Sequence, residues 1–385
     1  MVANVNVLLS SLGTHTLHVP QVALPIGISF STFQAISYIV DVYRRTTSPQ
    51  RSLPRLALYV APFPQLIAGP IVRYGSVAAQ LVHRRMTTRG FAEGVRRFVL
   101  GLGKKMIVAI GVAGTADAIF AIPGDRLTAP VAWLGIVCDA LQIYFDFSGY
   151  SDMAIGLRRM FGFTFPENFR YPYVARSVTE FWRRWHITLS SWFRDYLYIP
   201  LGGNRASRAR VLANLLLVFL LCGLWHGASW AFVVWGLFHG GFLVIERLGL
   251  AAVMERGGRA VHHTYVLLVV LVAWVFFRAE TLAHALRYLA AMSGATATGP
   301  AFDVLAFVDR RLLLVLAIGV MGSASVLPWV VRRWSARAVR RAESGVMWHW
   351  VTGRYVGAAM LAAVFLVSVM LSAAGTYSPF IYFRF

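Results

Sequence analysis

Apolar residues run through this chain in stretches too long for an ordinary core helix, separated by short polar segments rich in arginine. In hydrocarbon every backbone amide must be satisfied within its own segment, so a helical pass takes about 20 predominantly apolar residues. Residues 21–40 are uncharged and end at Asp41-Val42-Tyr43-Arg44-Arg45, which predicts a first pass. Residues 56–72 are also uncharged, but Pro62, Pro64 and Pro70 break a regular helix and predict an irregular or re-entrant element. Residues 95–121 and 130–157 are long enough to span, although Asp117, Asp139, Asp146 and Asp152 interrupt them. Residues 211–245 hold no charge over 35 positions, room for one pass and part of another. A short, strongly apolar stretch follows at 264–277, and 312–331 and 355–383 are uncharged and long enough. The pattern predicts an all-α polytopic membrane protein of roughly eight to ten membrane elements, re-entrant or interfacial helices included. No internal repeat or long linker divides it, so residues 1–385 are read as one integral-membrane domain.

Composition agrees with the pattern. Of 385 residues, 58% are hydrophobic and only 14% charged, where a soluble domain carries about 25% charged residues. The net charge of +21, from 37 basic and 16 acidic side chains, is of the kind that releases counterions from nucleic acid. With so apolar a chain the bilayer is the expected partner instead, and no nucleic acid is expected. Lys104 and Lys105 are the only lysines, so nearly all the basic charge is arginine. It falls between the spans: six arginines against Glu93 in 73–97, eight against Glu180 and Asp195 in 170–210, and five in 332–341 with no acid. The positive-inside rule puts these segments on the cytoplasmic side of the membrane. Topology and lipid anchoring account for such arginines, and the guanidinium fork also suits anionic headgroups and phosphorylated acyl carriers. Two cysteines, Cys138 and Cys222, make neither a disulfide framework nor a zinc motif. Residues 1–40 carry no charged side chain, so they lack the basic start of a cleaved signal.

Among ten histidines, His226 stands out at position 16 of the uncharged run, in Leu224-Trp225-His226-Gly227-Ala228-Ser229-Trp230. An ionisable group at membrane depth is costly and marks a functional site by default. A neutral imidazole there can accept a proton, and Trp225 and Trp230 are placed to wall a dry cavity. The alternative is a core histidine bonded to a backbone carbonyl. His186 is the second candidate, in a segment whose mixture of arginine and aromatics fits a helix at the headgroup level. On such a helix Trp182 and His186 would share a face, as would Glu180 and Arg184. An interfacial histidine without chemistry is the alternative here. His239 is expected to pack or hydrogen-bond. Cys222 precedes His226 by four residues, but an apolar span disfavours the thiolate that a nucleophile needs. Asp146 and Asp152 are expected to pair with Arg158 or Arg159.

Several segments together resemble the membrane-bound O-acyltransferases. They are Pro64-Gln65-Leu66-Ile67-Ala68-Gly69-Pro70-Ile71-Val72-Arg73, Phe145-Asp146-Phe147-Ser148-Gly149-Tyr150-Ser151-Asp152-Met153-Ala154, Pro166-Glu167-Asn168-Phe169, EFWRRWHITLSSWFRDYLYIPLGGN over 180–204, and the stretch around His226. The ending, Pro379-Phe380-Ile381-Tyr382-Phe383-Arg384-Phe385, is similar to that of the alginate O-acetyltransferase-like branch. The resemblance implies that His226 is the catalytic histidine and His186 the second active-site position. Trp182, Arg183, Trp185, Trp225 and Asn204 are the expected substrate contacts. It further implies a cytoplasmic acyl thioester donor, acetyl-CoA or an acyl carrier, with no bound cofactor or metal. The acceptor is a hydroxyl of an extracytoplasmic polysaccharide such as alginate. A polysaccharide biosynthesis complex and an extracytoplasmic acyltransferase of the SGNH-hydrolase type are the implied partners. Relatives begin with further membrane helices before the segment matching residues 24–30, so this chain is expected to lack the first of them. Two other readings fit the residues: a transporter or flippase using His226 as a proton relay, and a non-catalytic scaffold for an extracytoplasmic acyltransferase.

Overall fold

The computed structural model of the chain describes residues 27–61, 69–255, 257–295, 302–324 and 348–375, with positions 9, 13–15, 326 and 333 besides. The described residues are helical and contain no strand. In chain order the helices are α1 (Ile28–Tyr43), α2 (Leu53–Val60), α3 (Tyr74–Val82), α4 (Thr88–Gly103), α5 (Ile110–Phe120) and α6 (Ala129–Met160). Then come α7 (Val178–Arg184), α8 (Ile187–Phe193), α9 (Arg208–His226), α10 (Trp230–Ile245) and α11 (Ala251–Glu255). The last are α12 (Arg259–Arg278), α13 (Leu282–Met292), α14 (Arg310–Ser323) and α15 (Trp348–Ala373).

Among the described residues, six helices are long and apolar enough to cross a membrane: the continuous Thr88–Phe120, α6, α9, Trp230–Met254, α12 and Tyr355–Ala373. With α1, α14 and the α7–α8 pair they supply the membrane elements that the hydropathy predicts. The proline-bearing residues 62–68, the arginine segment 332–341 apart from Arg333, and the matched ending 379–385 lie outside the described residues.

The most apolar stretch of α6 is 83% buried, and α4 packs along α6 through two reciprocal glycine contacts. A Cβ on Gly101 would sit 2.6 Å from the Gly149 carbonyl oxygen, and one on Gly149 would sit 2.7 Å from that of Gly101. Gly94 and Gly156 meet in the same way one heptad along. Small residues let two helix backbones touch, which in lipid is a main source of packing energy. The aspartates do not interrupt α6. Asp152 binds Arg97 at 2.8 Å and Lys104 at 2.6 Å, Asp146 binds Lys105, and Glu167 also binds Arg97. At the other end Asp117 and Asp139 converge on Arg278. The expected pairing with Arg158 or Arg159 is therefore corrected. Those arginines sit about two turns beyond Asp152 and more than three beyond Asp146 on the same helix, whereas α4 lies alongside. Arg159 instead binds Glu93 at 2.9 Å.

The uncharged run folds back on itself. α9 ends at His226, Gly227 is extended, and α10 starts after Ser229, so the run is a helical hairpin rather than a pass and a fragment. Gly223 and Gly236 permit the closure: a Cβ on Gly236 would lie 2.3 Å from the Phe219 carbonyl oxygen. The ends of α9 and α12 meet where Phe277 packs on His226. The opposite face collects the start of α4, the end of α6 and the starts of α9 and α12, with Arg89, Arg159, Arg208 and Arg259. That is the basic face.

Candidate active site

Helices α7 and α8 do not lie flat at the headgroups, as their sequence suggests. The Glu246 carboxylate, just after α10, accepts the Val178 and Thr179 backbone N–H groups at 2.5 and 3.0 Å and so holds the start of α7 at the basic face. The segment leaves by the same face, where Tyr196 donates to Asp41 at 2.8 Å and Arg73 binds Asp195 at 2.6 Å. Between these anchors it turns at Trp185-His186 inside the protein, and His186 is only 1% exposed. The turn needs His186 in the left-handed region, φ 41° and ψ 55°, which ends α7 and starts α8. The expected shared face of Trp182 and His186 is lost at this break, while Glu180 and Arg184, within α7, do pair at 2.6 Å.

Asn168 fixes the His186 ring. The Asn168 side-chain oxygen accepts from the Thr188 backbone N–H at 3.3 Å and from its hydroxyl at 2.9 Å, while its amide nitrogen donates to Ser151 at 2.9 Å. With the oxygen so oriented, the 3.1 Å contact to His186 Nδ1 is a bond that Nδ1–H donates. Nε2 is then a bare acceptor, buried and without a partner among the described residues. Loss of Asn168 frees the ring. Asn168→Ala is expected to lower the acyl-transfer rate about tenfold, with little change in apparent donor affinity, as measured by thioester consumption in proteoliposomes.

His226 reaches the same region from the other side. Trp225, Trp235 and Phe277 surround its ring at centroid distances of 4.5, 4.9 and 5.1 Å. Phe30 of α1 bridges His186 and Trp225, lying 6.4 Å from His186 in a stacked arrangement and 6.2 Å from Trp225. Trp225 is held by its indole N–H on the Ser29 hydroxyl at 2.5 Å. Among the described residues, two buried donors are also unengaged. The Trp235 indole N–H has no acceptor. His239 accepts from the Trp182 indole at 3.3 Å through Nδ1, so its proton sits on Nε2, which has no partner either.

The structure thus joins His226, His186 and Trp225. Trp182 packs against Trp235 and His239 rather than against His186. Trp185 is buried beneath the turn against Trp274 at 4.9 Å. Arg183 is exposed, and Asn204 is an exposed residue bonded to Tyr198 and Arg247, so neither lines the histidine pair. Phe30, Asn168 and Trp235 are site residues without a sequence signal of their own chemistry. The Pro166-Glu167-Asn168-Phe169 stretch was the one pointer among them.

Residues 46–326 match the model of the membrane-bound O-acyltransferase family. The chain belongs to that family. This O-acyltransferase is 50% identical over 291 residues to the probable alginate O-acetylase AlgI of Azotobacter vinelandii, a match that covers 76% of this chain and 58% of that one. It is 42% identical to the protein of the same name from Pseudomonas aeruginosa, across all of this chain and 81% of that one. It is also 40% identical to the peptidoglycan O-acetyltransferase of Helicobacter pylori, over 72% of this chain and 58% of that one. The O-acyltransferase family model takes in α2 to α14 and with them both histidines.

Proposed function

We propose that this acyltransferase moves an acetyl group from a cytoplasmic thioester to a hydroxyl of an extracytoplasmic polysaccharide, such as alginate, with His226 as general base. One observation carries the reading: buried His186 and half-buried His226 flank Phe30 and Trp225 in one aromatic cluster inside the protein. The His186 turn is tied to the basic face, and His226 ends a helix that begins there and finishes near the other. A thioester whose phosphates rest on the arginines can then meet a hydroxyl arriving from the far side.

A ring nitrogen of His226 removes the hydroxyl proton as that oxygen attacks the thioester carbonyl carbon. The tetrahedral intermediate expels the thiolate, which takes the proton from His226 and leaves as thiol. Trp235, in contact with His226 and with a free N–H, is placed to donate to the developing oxyanion. His186 offers an acceptor, so it orients a substrate N–H or O–H rather than neutralising negative charge. The aromatic wall keeps out water that would hydrolyse the thioester.

The test is purified protein in proteoliposomes with labelled acetyl-CoA on one side and a hydroxyl-rich polysaccharide on the other. Label on the polymer with free CoA released is the expected result. Solute flux without thioester consumption would make the protein a transporter. Co-purification of an extracytoplasmic acyltransferase with no turnover would make it a scaffold.

A further inference from the structure

A second charged recess lies at the basic face. Arg158, in the last turn of α6, is 6% exposed, yet no carboxylate or hydrogen-bond acceptor meets its guanidinium among the described residues, and its Nε is enclosed without a partner. The guanidinium lies over Phe163 at 4.9 Å and Phe165 at 4.6 Å, and Arg84 lies over Phe163 at 5.0 Å. Two cations therefore converge on one ring with no acid between them. Glu93 of α4 is already engaged by Arg89 at 3.0 Å and Arg159 at 2.9 Å. A shallow, mostly apolar recess opens to the surface beside Arg158, and Leu58, Tyr59, Leu81 and Phe165 are among its walls.

We propose that this recess binds a phosphate ester, most simply the headgroup phosphate of an anionic lipid, with Arg158 as the inner ligand and Arg84 as the outer one. A buried cation is costly unless an anion or full hydrogen bonding compensates it, and two ring faces supply only part of that compensation. The planar fork of arginine fits a phosphate with two parallel bonds. The surroundings fit an amphiphile. Around the recess α2, α3 and the end of α6 leave Leu58, Val82 and Phe161 exposed by 42, 45 and 49%, an apolar rim on which acyl chains can rest. Soluble phosphate esters carry the same chemistry without needing that rim. The site lies apart from the histidine pair and stands whether or not acyl transfer is the protein's activity.

The test uses the full chain in nanodiscs of a phosphate-free glycolipid doped with phosphatidylglycerol, with retained lipid counted by native mass spectrometry. Wild-type protein is expected to keep phosphatidylglycerol selectively, with half-saturation raised about tenfold by Arg158→Gln and less by Arg158→Lys, which keeps the charge but not the fork. Arg84→Gln, at an exposed position, is expected to weaken retention severalfold and keeps the proposal testable should the Arg158 variants fail to fold. Displacement of the lipid by millimolar inorganic phosphate would support the phosphate site and make a soluble ester its source. Equal retention of both lipids, or retention unchanged by Arg84→Gln and Arg158→Gln, would overturn the proposal.

Discussion

Replacing His226 by alanine is expected to lower acyl transfer by about 10²–10⁴-fold, the usual contribution of a positioned general base, while the protein still inserts and purifies as a single species. The fold tolerates the change for a local reason. His226 is the last residue of α9 and only partly enclosed, and Phe232, which meets the hairpin turn at Gly227, stays in place. His226→Gln is the sharper probe, because it keeps a polar side chain of similar reach but cannot take up a proton near neutrality. Both variants are expected to lose kcat with donor affinity little changed, since the base acts on the acceptor hydroxyl. A well-inserted His226→Gln protein that transfers acetyl at the native rate would remove His226 from the chemistry. The His186 acceptor atom would then be the next candidate.

The largest expected effect on folding comes from Gly149→Leu. Its first added carbon would stand 2.7 Å from the Gly101 carbonyl oxygen, and the contact is backbone on backbone, so no side chain can swing away. Relief requires α4 and α6 to separate along their length, which also stretches the bonds from Asp152 to Arg97 and Lys104. Overpacking in a well-ordered core costs up to about 3 kcal/mol, and loosening partly buried charges adds to it. The expected outcome is little monodisperse protein in detergent and a midpoint of thermal aggregation at least several degrees lower. Gly114→Leu is the control, because nothing lies within 4 Å of a Cβ there. Equal behaviour of the two variants would show that the glycine contact does not hold the helices together.

The class of fold was legible because lipid imposes one rule on every span, and runs of uncharged residues obey it visibly. His226 was legible for the same reason, as an ionisable residue where few are tolerated. What escaped was geometry that depends on contacts between distant segments. The hairpin at 227–229 was hidden since glycine, alanine and serine do not break a hydropathy pattern. The turn at His186 was hidden because its left-handed backbone is imposed by Asn168, Thr188 and Glu246 from three places in the chain. Trp182 does not share a face with His186, because the broken helix gives it to His239. The partners of Asp146 and Asp152 were misread because spacing within one helix says nothing of the helix beside it.

Those partners bear on how the protein enters the membrane. The only two lysines in the sequence, together with Arg97, lie on the Thr88–Phe120 helix, and their carboxylates, Asp146, Asp152 and Glu167, come later on or just after α6. Three positive and three negative groups cancel once the two helices lie side by side. Before that, the first helix carries uncompensated cations toward the bilayer and the second uncompensated anions, each at a penalty of kilocalories per group. Neither is at home in lipid alone. The α4–α6 pair is therefore expected to enter the bilayer as one unit, once Glu167 has been synthesised, with Asp117 and Asp139 still awaiting Arg278 of α12.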